Sequence, residues 1–170
     1  MPVPEPIKLV VMGVAGCGKS SVGVALAAQI GCAYLDGDDL HPAANVDKMS
    51  RGDPLTDADR WPWLAAVGRA LAEPGRRIIG CSALKRSYRD RITAKAGCAV
   101  TFVHLDGSYD LIKGRMDART GHFMPPSLLV SQFAALEPPD RGENAVRVQI
   151  DQPLAGIVSD ILRRLADRPE

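Results

Sequence analysis

The sequence predicts an α/β fold, a parallel sheet covered by helices on both faces, and three observations predict it. Short apolar runs alternate with helical patterns along the whole chain. Those runs are apolar along most of their length rather than at every second residue, as strands buried on both faces are. The first of them also feeds a glycine-rich turn that opens a helix, the context of a phosphate-binding loop.

That first run is Ile7–Met12. It leads into Gly13-Val14-Ala15-Gly16-Cys17-Gly18-Lys19-Ser20-Ser21, which fits G-x-x-x-x-G-K-[ST], and then into a helical pattern over Ser20–Ile30. Glycines let successive N–H groups curl toward phosphate oxygens, and the helix N-terminus adds partial positive charge. Lys19 reaches the β- and γ-phosphates, and the Ser20 hydroxyl is placed to ligate Mg²⁺. An ordinary turn that happens to end in Lys-Ser is the competing reading, and the complete motif in its proper context outweighs it. The chain is read as a P-loop protein that binds a nucleoside triphosphate.

The second run, Ala33–Leu35, opens onto Asp36-Gly37-Asp38-Asp39-Leu40-His41-Pro42. Three carboxylates in four residues repel one another unless something positive is bound, and Mg²⁺ with a hydroxyl nucleophile supplies the reason. The alternative is an acidic turn in which Asp39 caps the next helix. If the strand continues, Asp36 and Asp38 project alike, one toward metal and one toward substrate. Residues 41–64 then combine cations and hydrogen-bonding groups with Trp, Met and Leu anchors. They read as a region folded over a polar ligand, with Lys48, Arg51 and Arg60 as donors. Thr56 or Asp57 caps the helix that follows over Asp59–Ala72, and Trp61 and Trp63 read as packing residues.

The third run, Arg77–Cys81, opens a helix over Lys85–Ala96. Lys85 and Arg89 stand at i and i+4, so both cations fall on one face at a strand end, where an anion arrives. No Walker-B carboxylate follows an apolar run here, which leaves Asp36 as the metal-side acid. After Val100–Leu105, the helix Tyr109–Ala118 carries Arg115 and leads to Arg119 ahead of a Gly-containing hinge. Residues 115–137 therefore read as a lid whose arginines close on phosphates, against a plain helix hairpin with solvated arginines. His122 is either a hydrogen-bonding residue under the lid or a surface histidine. Pro126–Leu136, the run Val146–Ile150 and the helix Pro153–Leu165 complete the alternation.

Composition narrows the class. The 170 residues fit one domain, and 46% hydrophobic with 24% charged residues is the balance of a soluble globular protein. A net charge of +1 gives no electrostatic case for nucleic acid or an anionic membrane as partner. No apolar run approaches the roughly 20 residues a bilayer requires. Residues 1–6, rich in proline, read as a loose tail. Cys17, Cys32, Cys81 and Cys98 form no C-x-x-C pair, which argues against zinc and for a reducing, cytoplasmic setting. A helix N-terminus could lower the Cys17 pKa, but a small residue that simply fits the loop is the favoured reading.

Several of these blocks are distinctive together: the phosphate loop, Asp36–Pro42, Asn45, Lys48-Met49, Gly52, Pro54-Leu55, Asp57, Asp59-Arg60, Pro62-Trp63-Leu64, Cys81–Lys85, Tyr88-Arg89-Asp90, Gly121–Pro125, Ser131-Gln132-Phe133 and Leu136-Glu137-Pro138. They resemble gluconokinase over roughly residues 8 to 166. The resemblance implies a five-stranded parallel sheet of order 2-3-1-4-5 and ATP-dependent phosphorylation of D-gluconate at its 6-hydroxyl, with Mg²⁺, in a homodimer. It implies Asp38 as the carboxylate that orients or deprotonates the substrate hydroxyl, and Asp36 as holder of a Mg²⁺-bound water. Arg119 would meet the phosphates, Arg115 the adenine, and the loop carrying Asp151 and Pro153 would edge the base. Cations for the gluconate carboxylate are Lys48, Arg51, Arg60, Lys85 and Arg89, with Lys85 and Arg89 foremost. His41 and Asp59 are hydroxyl partners, and Ser82, His122 and Gln132 join the substrate-binding set. The rivals are a shikimate or nucleotide kinase on the same scaffold, and a nucleotide-dependent switch, which the lack of an N-K-x-D motif disfavours.

Overall fold

The structure, a computed structural model, describes residues 3–119 and 125–168. In chain order these form β1 (Lys8–Met12), α1 (Lys19–Ile30), β2 (Tyr34–Asp36), a 3₁₀ turn (Gly37–Leu40), α2 (Ala43–Ser50), α3 (Asp57–Ala72), β3 (Arg77–Gly80), α4 (Arg86–Ala96), β4 (Thr101–Asp106), α5 (Tyr109–Asp117), α6 (Pro126–Ala135), β5 (Ala145–Gln149) and α7 (Leu154–Ala166). The five strands make one sheet of order β2-β3-β1-β4-β5, and every pair is parallel.

Alternation along β1 explains the two-sided core. Leu9 and Val11 face the layer with Leu26, Val103, Leu105, Ile157 and Ile161. Val10 and Met12 face the opposite layer, with Leu64, Val67, Ile79, Ile92 and Phe102. All five β1 residues are buried, so the strand has to be apolar on both faces. Lys8 is the exception by chemistry: its ammonium donates to the Glu73 and Gly75 carbonyls at 2.5 and 2.6 Å. No helix among the described residues is long and apolar enough to cross a membrane.

Four expectations about local structure need correcting. The described part of the N-terminal stretch, residues 3–6, is not simply a loose tail, because Val3 packs on the core and Glu5 pairs with Arg76 at 2.6 Å. The strand β2 does not run on to Asp38. It ends at Asp36, whose Oδ1 accepts the Asp38 N–H at 2.9 Å and so caps the 3₁₀ turn; simple alternation of the two acids fails for that reason, and Asp39 is not the cap. A helix, α2, stands inside residues 41–64 without an apolar stripe to announce it, since Val46 and Met49 are exposed. Finally, α4 begins at Arg86, with Lys85 outside it as the N-cap residue.

Candidate active site

The ends of β1, β2 and β3 meet around a cavity of about 240 Å³. Phosphate-loop residues Ala15, Gly16, Gly18, Lys19, Ser20 and Ser21 line one side of it, and Asp36 and Asp38 the other, with Arg119 at its edge. Gly18, the residue before α1, has φ 97°, and Gly16 has φ 80°. A Cβ on Gly16 would lie 2.6 Å from the Met116 side chain, so the loop is glycine there both for its turn and for the packing of α5. Gly13, Val14 and Cys17 form the buried underside of the loop, with relative exposures of 3% and 1% for Val14 and Cys17. Burial pushes the Cys17 thiol up against the opposing pull of Lys19, so Cys17 is a packing residue. Lys19 folds back over the loop, donating to the Gly13 and Val14 carbonyls at 3.0 and 3.1 Å.

Asp38 stands exposed at the rim, yet its carboxyl is pushed above the usual carboxylate range. Desolvation is the first cause and the neighbouring Asp36 the second, while Lys19 pulls the other way. Two acids and a serine hydroxyl facing one cavity suit a small, hard cation. Among the described residues no three His, Cys, Asp or Glu side chains gather to cage a metal. That donor set fits Mg²⁺, which keeps several waters and takes phosphate oxygens rather than a full protein cage.

The acceptor side is built from side chains that hold one another. His41 stacks on Trp63 with ring centroids 4.0 Å apart, and Trp63 Nε1 donates to the Gly37 carbonyl at 2.7 Å, fixing the turn that carries Asp38. Asn45 donates to the Asp59 carbonyl at 2.8 Å and lies 3.2 Å from His41 Nδ1, which makes Nδ1 the acceptor and Nε2 the protonated nitrogen. Burial, then Arg60, lowers the His41 pKa, so the ring is neutral at pH 7. Arg60 and Lys85 both stand over the Tyr88 ring, at 5.7 and 5.6 Å from its centroid. Both also reach Asp57 Oδ1, at 3.8 and 3.5 Å, and the Tyr88 hydroxyl donates to the same oxygen.

Other cations are already committed. Lys48 pairs with Asp59 at 2.7 Å, and Asp59 completes a capping box with Thr56, so that Lys48 and the Thr56 amide hold its carboxyl down at about 2. Arg51 is exposed beside Asp53. Arg89 overturns its expectation outright. Its side chain is 1% exposed and bonds bidentately to Glu143, at 2.7 and 3.1 Å. Its remaining N–H groups go to the Ala83, Leu84 and Glu137 carbonyls. Lys85 and Arg89 share no ligand face, because Lys85 precedes the helix and Arg89 is turned into the core. Gln132 is also displaced from the substrate set: its Oε1 accepts the Ala15 N–H of the phosphate loop at 2.6 Å.

Arg115 reaches from α5 to the Ile150 carbonyl at 2.5 Å, beside exposed Asp151 and Pro153. Ser82, half-buried, accepts the Gly13 N–H through its carbonyl at 3.2 Å. His122 lies outside the described residues. Sequence reasoning missed Asp57 and Tyr88 as the holders of Arg60 and Lys85, and it missed Tyr34, which lines the cavity. A signal for Tyr34 existed in Gly23, a glycine inside a helix, where glycine costs stability unless a neighbour needs the space.

A family model described as an AAA domain matches residues 9–139. A gluconokinase of Gluconobacter oxydans (strain 621H) is 45% identical over 163 residues, covering 94% of this chain and 91% of that protein. The thermosensitive gluconokinase of Escherichia coli (strain K12) is 46% identical over 153 residues, covering 87% and 81%. The crystal structure of a gluconokinase from Sinorhizobium meliloti 1021 superposes with a TM-score of 0.88 at 52% identity, covering 95% of this chain and 92% of that one. Such identity, over nearly the full length and on a sheet of the expected order, leads to one conclusion: the chain belongs to the gluconokinase family of P-loop kinases.

Proposed function

We propose that this protein transfers the γ-phosphoryl group of ATP to the 6-hydroxyl of D-gluconate, giving 6-phospho-D-gluconate and ADP. What carries the reading is the meeting of Asp38, Lys19 and the phosphate loop in one cavity, in a chain whose relatives are gluconokinases. The hydroxyl oxygen bonds to the γ-phosphorus as the bond to the β–γ bridging oxygen breaks, and the hydroxyl proton passes to the Asp38 carboxylate. Such a transfer needs positioning and charge neutralisation more than covalent help. Lys19 and Arg119 neutralise phosphate charge. The Ser20 hydroxyl and, through water, Asp36 would hold Mg²⁺, which would supply further neutralisation of phosphate charge.

Gluconate lies between the acidic turn and α3. Lys85 and Arg60 meet its carboxylate, supported by their convergence on a carboxylate of the protein's own, Asp57. His41 and Ser82 are hydroxyl partners. Adenine lies between Arg115 and the Asp151–Pro153 loop, a reading supported by the bond from Arg115 to Ile150. Residues 115–137 act as the lid. The four free thiols fit a reducing cytoplasm, and the family resemblance supports a homodimer, which light scattering on the purified protein tests.

The deciding experiment measures ADP release with Mg-ATP against D-gluconate, shikimate, AMP, glycerate and buffer. A response confined to gluconate is expected. A stronger response to another acceptor would keep the kinase and remove the substrate.

A further inference from the structure

One peptide unit of the phosphate loop has different partners at its two polar ends. The Val14 carbonyl accepts from Lys19 Nζ at 3.1 Å and from the Cys17 N–H at 3.3 Å. The N–H of the same unit, that of Ala15, donates to Gln132 Oε1 at 2.6 Å. A trans peptide is planar, so its C=O and N–H point opposite ways and the direction of one fixes that of the other. Gln132 therefore sets where the carbonyl that receives the Lys19 ammonium points. Turned over, the unit would aim an N–H at that cation in place of an oxygen.

Gln132 comes from a helix that is itself held. Leu129, about one turn earlier on α6, is 2% exposed in the core layer that includes Val14 and Cys17. Phe133 meets the Tyr109 ring of α5 edge-on, with ring centroids 5.7 Å apart. Just past α6, the Glu137 N–H donates to the Leu84 carbonyl and Glu137 Oε1 accepts the Arg86 N–H, both at 2.8 Å. The side chain thus reaches the loop from a fixed base. Its chemistry also suits the place, since a glutamine oxygen brings an acceptor without a negative charge to a loop that receives phosphate.

We propose that Gln132 is a positioning residue for Lys19: by taking the Ala15 N–H it fixes the Val14–Ala15 peptide, and with it the carbonyl on which the lysine rests, from a helix 117 residues further along the chain. The inference rests on the nucleotide reading above and is independent of the sugar acid.

Two measurements on the full chain test it. Amide hydrogen exchange followed by NMR reads the bond itself. Ala15 should be protected in wild type, unprotected in Gln132→Met, which keeps the length and loses the acceptor, and protected again in Gln132→Glu. Fast exchange of Ala15 in wild type, or in Gln132→Glu as in Gln132→Met, would overturn the proposal. Calorimetric titration of Mg-ADP reads the consequence. Gln132→Met is expected to bind roughly 3- to 10-fold more weakly, the worth of one hydrogen bond, with the gluconate KM and the melting temperature close to wild type. On a Lys19→Met background the same change should cost less than about twofold, because the two groups act as a unit. An equal cost on both backgrounds would disconnect Gln132 from Lys19. A raised gluconate KM with ADP affinity intact would return Gln132 to the substrate side, and a lowered melting temperature with ADP affinity intact would reduce it to packing; either overturns the proposal. Wild type that binds no ADP would remove the nucleotide reading and this inference with it, and that shows before any variant is made.

Discussion

The two halves of the site are built on different principles. The phosphate half is backbone: a glycine loop over buried Val14 and Cys17, opening the first turn of α1. The acceptor half is side chains, and the cations expected there are engaged, Lys48 with Asp59, Arg51 with Asp53, Lys85 and Arg60 with Asp57, while Arg89 is turned away into the core on Glu143. A backbone site follows from a motif, because the residues that shape it are adjacent in the chain. A side-chain site does not, because the availability of a cation depends on where an acid distant in sequence has come to rest.

The largest effect should fall where the halves meet. Asp38→Asn removes the proton acceptor and keeps the shape, so turnover is expected to drop by about 10²- to 10⁴-fold with ADP affinity largely intact. Turnover near wild type would detach Asp38 from the chemistry. The same carboxyl predicts the acid limb of the pH profile. Its raised pKa means that the proton is held to higher pH than on an ordinary aspartate. Activity that needs the ionised form should therefore decline as pH falls through that raised value, above the usual carboxylate range. In stability the sign is the reverse: the folded state binds this proton more tightly, so the contribution of Asp38 is favourable at low pH and is lost as pH rises through the raised value.

Lys85 and Arg89 sharpen the contrast, being cations four residues apart with opposite surroundings. Arg89→Ala strands Glu143 and three carbonyls, and is expected to cost about 3–5 kcal/mol of stability in denaturant unfolding, with the gluconate KM of the folded enzyme little changed. Lys85→Ala should leave stability nearly untouched, since its partner Asp57 is exposed, and raise the gluconate KM about 10- to 100-fold. An Arg89→Ala enzyme that folds normally but loses gluconate affinity would reverse this assignment.

Much of the fold was legible because its signals are local or periodic. Each strand lies within a residue of its apolar run, and every helix with an apolar stripe was visible. The 3₁₀ turn and α2 were not, since four and eight residues without an apolar stripe leave no periodicity. In the site, the phosphate loop and the acidic turn could be read from spacing, whereas Arg89 was misplaced. Helical spacing put it beside Lys85, but Lys85 lies outside the helix, and Glu143, 54 residues on, takes Arg89 into the core. Tyr34 escaped because the slot that puts its ring at the cavity is left by Gly23 and Gly80, from two other elements.

The smallest effect tests how far the acceptor half depends on its helix start. Thr56 Oγ1 accepts the Asp59 N–H at 3.1 Å, and Asp59 Oδ2 accepts the Thr56 N–H at 2.8 Å, closing the box at the head of α3. Thr56→Ala removes one of the two bonds and is expected to cost about 1 kcal/mol, a fall of roughly 2–4 °C in melting temperature. Asp59 keeps both Lys48 and the Thr56 amide, so Arg60 and the gluconate KM should stay nearly unchanged. A KM that rises with Thr56→Ala while stability holds would mean that the first turn of α3 positions the substrate cations directly. The acceptor half would then depend on backbone as the phosphate half does, and the distinction between the two would narrow.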